Sequence, residues 1–182
     1  GRLARLRSTM ADHGLDLCVL TNPVNLRYAA NYRSFPLFQS HIPSTYLMVP
    51  VEGPLVLYGG YCGPLDTVDE NRPAKSVTSF DAGLGLSAVA AGFADDVAGF
   101  LGEVGLPADA VVGLERTTPS GHTALSDADL HIVDSDPVLE LARSRKSSLE
   151  IEALRYSIDV AELGLAEMEA ALVPGVSENQ LW

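Results

Sequence analysis

The groups from which this sequence could build a reactive site are four histidines, two cysteines and 24 carboxylates. Among His13, His41, His122 and His131, no two stand three to five positions apart. No HExxH or paired-cysteine motif accompanies them, so the spacing does not describe a metal site. Gly113-Leu-Glu-Arg-Thr-Thr-Pro-Ser-Gly places a serine near glycine but lacks the GxSxG turn that exposes a nucleophile. Gly83-Leu84-Gly85 is one GxG, with neither a GxGxxG run nor a P-loop. Asp95-Asp96 and the Glu167, Glu169 pair read as solvated helix faces, and an acid/base pair needs burial and geometry that adjacency does not supply. No catalytic residue is assigned within this chain.

Binding chemistry is better represented, between Asn22 and His41. Arg27, Tyr28, Arg33 and His41 set cationic and hydrogen-bonding groups among Phe35 and Phe38. Such a mixture suits a small carboxylate-bearing molecule, because arginine presents a planar two-pronged donor. Ordinary packing is the competing account, with Tyr28 and Phe35 in a core and Arg27 paired with an acid. From Ala30 to Ser44 no period holds, so the segment reads as a loop. Loops are normally polar, and one this aromatic covers a core or faces a partner.

The elements that must position this loop follow from spacing. Arg2–His13 reads as a helix with Leu3, Leu6 and Met10 on one side, stopped by Gly14. Leu15–Leu20 is a short apolar run, a buried strand. Asn22-Pro23 supplies an N-cap and a first-turn proline for a helix over Val24–Ala29. Thr45–Pro50 and Leu55–Tyr58 read as strands of a hairpin around Val51-Glu52-Gly53-Pro54. Gly59–Arg72 is turn-rich, Ser76–Phe80 reads as a strand, and Ser87–Val104 as a helix. Gly92, Gly99 and Gly102 weaken that helix by up to ~1 kcal/mol each, tolerable where a strand packs closely. Val111–Glu115 and His131–Asp134 are further strands. Thr118-Pro119 and Asp136-Pro137 open helices reaching about Leu125 and Ala142. Strands alternating with helices, after one hairpin, predict an α/β fold with a mixed sheet flanked by helices.

A long helix closes the sequence. Ile151, Leu154, Ile158, Ala161, Leu165, Met168 and Leu172 recur at steps of three and four, forming one apolar stripe from Leu149 to Leu172. Val173-Pro174-Gly175 stops it, and Ser177 is placed to cap another helix. The basic, serine-rich 143–148 stretch is the natural boundary, giving a domain over 1–142, a linker over 143–148 and a truncated start of another domain over 149–182.

Composition narrows the classes. The chain has 182 residues, 47% of them hydrophobic and 20% charged, as a globular protein does. Net charge is −12 and ten of the twelve basic residues are arginine, which argues against nucleic acid and against anionic membrane surfaces as partners. No apolar run is read as reaching the ~20 residues that span a bilayer. Cys18 and Cys62, without a CxxC, read as free thiols of a reducing cytoplasm.

In their order along the chain, several stretches resemble one family. Arg143-Ser-Arg-Lys-Ser-Ser-Leu-Glu-Ile-Glu-Ala-Leu-Arg resembles the Arg-x-x-Lys-Ser junction of the creatinase/prolidase/aminopeptidase P enzymes. Val173-Pro-Gly-Val-Ser-Glu resembles the next element of their pita-bread catalytic domain. Asn25-Leu-Arg-Tyr-Ala and Gly113-Leu-Glu115 resemble parts of their N-terminal domain. Asn25-Leu-Arg-Tyr-Ala with Leu37-Phe-Gln-Ser-His41-Ile-Pro looks closer to a branch that includes dimethylsulfoniopropionate lyases.

The resemblance implies a ribonuclease-H-like N-terminal module with the first helix of the catalytic domain appended. It implies a cytoplasmic, homodimeric parent enzyme, an Xaa-Pro dipeptidase or aminopeptidase acting on small peptides. Creatinase-like, ectoine hydrolase-like and dimethylsulfoniopropionate lyase-like parents stay open, as does a stand-alone module binding a small zwitterion. Two divalent ions (manganese, cobalt or zinc) would be held by ligands beyond Trp182, leaving this chain without metal or cofactor and inactive alone. Arg33, Phe38 and His41, by position in the loop, would touch substrate in the partner's active site.

Overall fold

The computed structural model describes residues 1–33, 35–59, 66–75 and 77–181; the side chains of Pro36, Leu37, Phe38 and Asp81 are outside that description. By the clustering of contacts the chain divides into two compact units, Gly1–Arg143 and Ser144–Trp182.

In the first unit, α1 (Arg2–Asp12) buries Leu6 and Met10 and ends before Gly14, whose φ of +70° is the left-handed value glycine adopts freely. Strand β1 (Leu17–Leu20) follows, then α2 (Pro23–Ala30), capped by the Asn22 side chain accepting from the Val24 N–H. The order continues with α3 (Pro36–His41), β2 (Tyr46–Pro50), β3 (Val56–Tyr58), β4 (Glu70–Arg72), α4 (Ser79–Ala82), a single 3₁₀ turn, and α5 (Leu86–Glu103). It ends with β5 (Val111–Leu114), α6 (Pro119–Asp127), β6 (His131–Asp134) and α7 (Asp136–Ser144).

Among the described residues six strands form one mixed sheet, in the order β4-β3-β2-β1-β5-β6. The hairpin pairs β2 with β3 antiparallel; β1 is antiparallel to β2 and parallel to β5, and β5 is parallel to β6. Every residue of β1, β2 and β3 is buried, so these strands carry apolar side chains on both faces. Alternation divides them between two cores. Cys18, Leu20, Leu47, Val49 and Leu57 pack with Leu6 and Met10 of α1, Leu26 of α2 and Leu139 of α7. Leu17, Val19, Tyr46, Met48 and Val56 pack with Phe93, Val97 and Phe100 of α5 and Leu125 of α6. The result is a helix–sheet–helix sandwich, the α/β fold expected.

Five expectations need correction. Thr78 and Ser79 are not strand: Thr78 occupies an N-cap position and α4 begins at Ser79, with Phe80 66% exposed. Ser76 lies outside the described residues; among the rest of that run only Val77 and Thr78 are buried, too little for β propensity to prevail over a helix start. The supposed loop 30–44 contains α3, opened by Pro36 and too short to show a period. The turn-rich 59–72 segment ends in β4, whose Glu-Asn-Arg sequence gives no apolar signal because it is an exposed, charged edge strand. The glycines of α5 face no strand: a Cβ at Gly99 or Gly102 would meet open space, and at Gly92 only the Lys75 side chain. Finally, residues 83–103 are long and apolar enough to span a bilayer by length and composition. Six residues of α5 are nevertheless buried in the core against the sheet, as a core helix requires. Cys62 lies outside the described residues.

The second unit is helical. Ser147 caps α8 (Ser148–Ala171): its hydroxyl accepts from the Glu150 N–H at 3.3 Å, and the Glu150 carboxylate accepts from the Ser147 N–H at 2.8 Å. No residue of α8 is buried, and its stripe at Ile151, Leu154, Ile158, Leu165 and Met168 is exposed. Pro174 and Gly175 interrupt the chain before α9 (Glu178–Leu181).

Candidate functional site

The loop between Asn22 and His41 leaves the carboxyl end of β1 and returns to the start of β2, so one end of the sheet holds both its ends. Thr21, the last residue before the loop, is 2% exposed and bonded in three directions. Its N–H donates to Glu115 Oε2 at 2.7 Å, its hydroxyl to the Arg116 carbonyl at 2.8 Å, and its carbonyl accepts from Gln39 Nε2 at 2.9 Å. Gln39 Nε2 also donates to the Thr45 carbonyl at 2.8 Å. One buried amide from α3 thus bridges the loop's two ends, as buried polar groups must find partners.

Glu115 follows β5 directly and is 6% exposed. Oε2 accepts from the N–H of Thr21 and, at 2.8 Å, of Asn22, while Oε1 accepts from Asn25 Nδ2. The Asn25 Oδ1 accepts in turn from Arg143 Nη1 at 2.8 Å, at the end of α7. Burial pushes the Glu115 carboxyl above the usual carboxylate range, opposed by the donors from Asn22, Asn25 and Thr21, with the Asp136 charge adding to the rise. Nearby, Cys18 is a buried free thiol pushed up to about 12 by burial and then by the Glu115 charge, which makes it inert.

β5 approaches its neighbours closely two residues before Glu115. A Cβ on Gly113 would lie 2.6 Å from Leu15 Cδ2, 2.9 Å from Ser135 Cβ and 3.1 Å from Cys18 Sγ. Only glycine fits there.

The sequence singled out Arg33, Phe38 and His41. Arg33 precedes α3 and is exposed; Phe38 and His41 lie within α3, His41 exposed as its last residue and Phe38 with its side chain outside the described residues. Ser40 Oγ lies 3.2 Å from His41 Nδ1. Phe35 is 71% exposed, so the core-packing account fails for it. For Tyr28 it holds, since the ring packs on the core and its hydroxyl donates to the Ala142 carbonyl at 2.9 Å. The buried Thr21, Asn25, Gln39 and Glu115 and the half-buried Arg143 carry no signal of these roles in the sequence. Asn25 and Glu115 meet across 90 positions of chain and Asn25 and Arg143 across 118, distances no local pattern spans. Among the described residues no three His, Cys, Asp or Glu side chains are placed to hold a metal ion. The arrangement holds and orients backbone; it contains no nucleophile set against a base.

Residues 2–145 match the Creatinase/Prolidase N-terminal domain, and the chain belongs to that family. Among curated relatives it is 26% identical over 191 residues to the dimethylsulfoniopropionate lyase DddP of Roseovarius nubinhibens, covering all of this chain and 43% of that protein. The chain therefore spans less than half the length of the curated relatives it matches. The fold is that of an Xaa-Pro dipeptidase from Bacillus anthracis, with TM-score 0.68, 21% identity, 99% of this chain and 45% of that one. It is also that of the N-terminal domain of the cytoplasmic peptidase PepQ from Mycobacterium tuberculosis H37Rv, with TM-score 0.51, 21% identity, and 78% and 97% coverage.

Proposed function

We propose that this chain is the non-catalytic N-terminal domain of a metal-dependent enzyme whose chemistry belongs to a second domain. The observation that carries the reading is the family match over residues 2–145 in a chain covering 43% of a relative's length. Arg33, Phe35 and His41 are exposed, and Gln39 is tied to Thr21 and Thr45 by buried bonds, which suits a domain that lends side chains to another site. In a homodimer, Arg33, Phe38 and His41 would reach substrate in the partner's active site, Arg33 by pairing with a carboxylate. The parent would be an Xaa-Pro peptidase-like hydrolase whose second domain would hold two divalent ions, supplying Lewis-acid chemistry for hydrolysis.

A second substrate reading has its own support: similarity to a dimethylsulfoniopropionate lyase along the whole chain favours a parent acting on a sulfonium zwitterion. Both substrates carry a carboxylate, so the role of Arg33 is common to both readings. The test uses the protein extended beyond Trp182 to its relatives' length. It is assayed with manganese, cobalt or zinc against Xaa-Pro dipeptides and against dimethylsulfoniopropionate. Arg33→Ala and His41→Ala should raise KM at least tenfold with the fold retained; unchanged kinetics in both would remove the loop from the site.

A further inference from the structure

The buried polar cluster at the sheet's end does more than satisfy its own members. Thr21, Asn25, Gln39 and Glu115 are each at most 6% exposed. Burying a carboxylate among them is no gain in stability over an apolar side chain of similar shape, so its role is better sought in geometry. Glu115, when ionised, only accepts hydrogen bonds, and arginine only donates them. Asn25 lies between the two, and its amide has one correct orientation: Nδ2 toward Glu115 and Oδ1 toward Arg143. The carboxylate thereby dictates which way the amide points, and the amide oxygen ties Arg143 to α2, beside the Glu140 carboxylate that Arg143 meets within α7 at 3.2 Å. Arg143 closes the first compact unit and stands in the last turn of α7.

We propose that Glu115 is a positioning residue that, through Asn25, fixes Arg143 and with it the point where the chain leaves the first unit. This rests on reading the chain as a domain that positions another. Replacing Glu115 by glutamine exposes the dependence. One amide oxygen accepts from the Thr21 and Asn22 N–H groups, and the new NH₂ faces Asn25 Nδ2, donor against donor. Asn25 must turn its Oδ1 to the new amide, and Nδ2 then confronts the Arg143 guanidinium. Arg143 loses its bond to α2 and keeps its Glu140 neighbour, although nothing in α7 has been changed.

Backbone amide exchange on the 182-residue chain, free of substrate and metal, tests this. Glu115→Gln should speed exchange in the last turn of α7, Leu141 to Ser144, by about tenfold or more, the effect expected for a lost charge-assisted bond. Asn25→Ala should produce the same increase, and the double variant no further one, because both break a single relay. Central amides of β1 and β2 should keep their protection. Exchange in α7 unchanged by Glu115→Gln, or a double variant that adds the two increments, would overturn the proposal. Should Glu115→Gln not fold, Asn25→Ala alone still decides, since protection retained in α7 there is fatal to the relay. An inactive parent enzyme would leave the exchange result standing, and an unchanged α7 would leave the domain reading intact.

Discussion

Replacing glycine by alanine should act with opposite signs at two places in this fold. At Gly113 the added methyl would sit 2.6 Å from Leu15 Cδ2 and 2.9 Å from Ser135 Cβ, both inside van der Waals contact. The leucine tip can turn aside, but a Cβ moves only with its backbone, so β5 or the start of α7 must shift. Overpacking of this kind destabilises a core by about 1–3 kcal/mol, and the backbone displacement places Gly113→Ala at about 2–3 kcal/mol. For a domain of this length that corresponds to a Tm lowered by roughly 5–10 °C. At Gly99 and Gly102 on α5, the same methyl meets nothing within 4 Å. Gly99→Ala should therefore stabilise by about 0.5–1 kcal/mol through helix propensity alone. Urea unfolding followed by circular dichroism, with matched m-values, reads both changes. Equal midpoints for Gly113→Ala and the parent chain, or the same sign at both positions, would refute the packing of β5 described above.

Three other outcomes follow from the polar groups. Cys18, buried and pushed up to about 12, should resist iodoacetamide at pH 8 in the folded chain and react only as fast as the domain unfolds; mass mapping of rapid labelling at Cys18 would contradict its burial. Tyr46 donates to Asp96 Oδ2 at 2.6 Å and accepts from the Lys75 N–H at 2.9 Å, so Tyr46→Phe should lose about 1–2 kcal/mol in urea unfolding, while no loss would make both bonds idle. The folded Glu115 carboxyl titrates above its unfolded value. Between those two values the folded chain therefore holds the extra proton, and stability falls as pH rises through the window. The pH slope of unfolding free energy in the parent chain minus that in Glu115→Gln should be negative as pH rises from 4.5 through that window and flat well below and well above it; a positive difference would invert the assigned direction.

Helices with strong stops and caps were plain in the sequence: α1 before Gly14, α2 after Asn22-Pro23, α7 from Asp136-Pro137, and α8 from Leu149 to its stop at Pro174, although its cap at Ser147 was not. Apolar strands were equally plain, because β1, β2 and β5 are buried on both faces and read as unbroken apolar runs. Elements without such signals escaped. β4 is a strand only because β3 offers it an edge, and α3 is one turn and a half opened by a proline. The site divided in the same way. Arg33 and His41 stood out as charge among aromatics, whereas Glu115, Asn25 and Arg143 acquire their roles from contacts that exist only once the sheet has formed. Gly113 was visible as part of a motif, but its reason, the approach of Leu15 and Ser135, is tertiary.

The claim at the centre is that this domain positions and does not catalyse. The most direct measurement compares turnover by the 182-residue chain with turnover by the protein extended to its relatives' length. Both are supplied with manganese, cobalt or zinc and offered an Xaa-Pro dipeptide or dimethylsulfoniopropionate. The account predicts turnover of one substrate by the extended protein and none by the short chain, although the short chain is folded. Metal-dependent turnover by the short chain alone would contradict it.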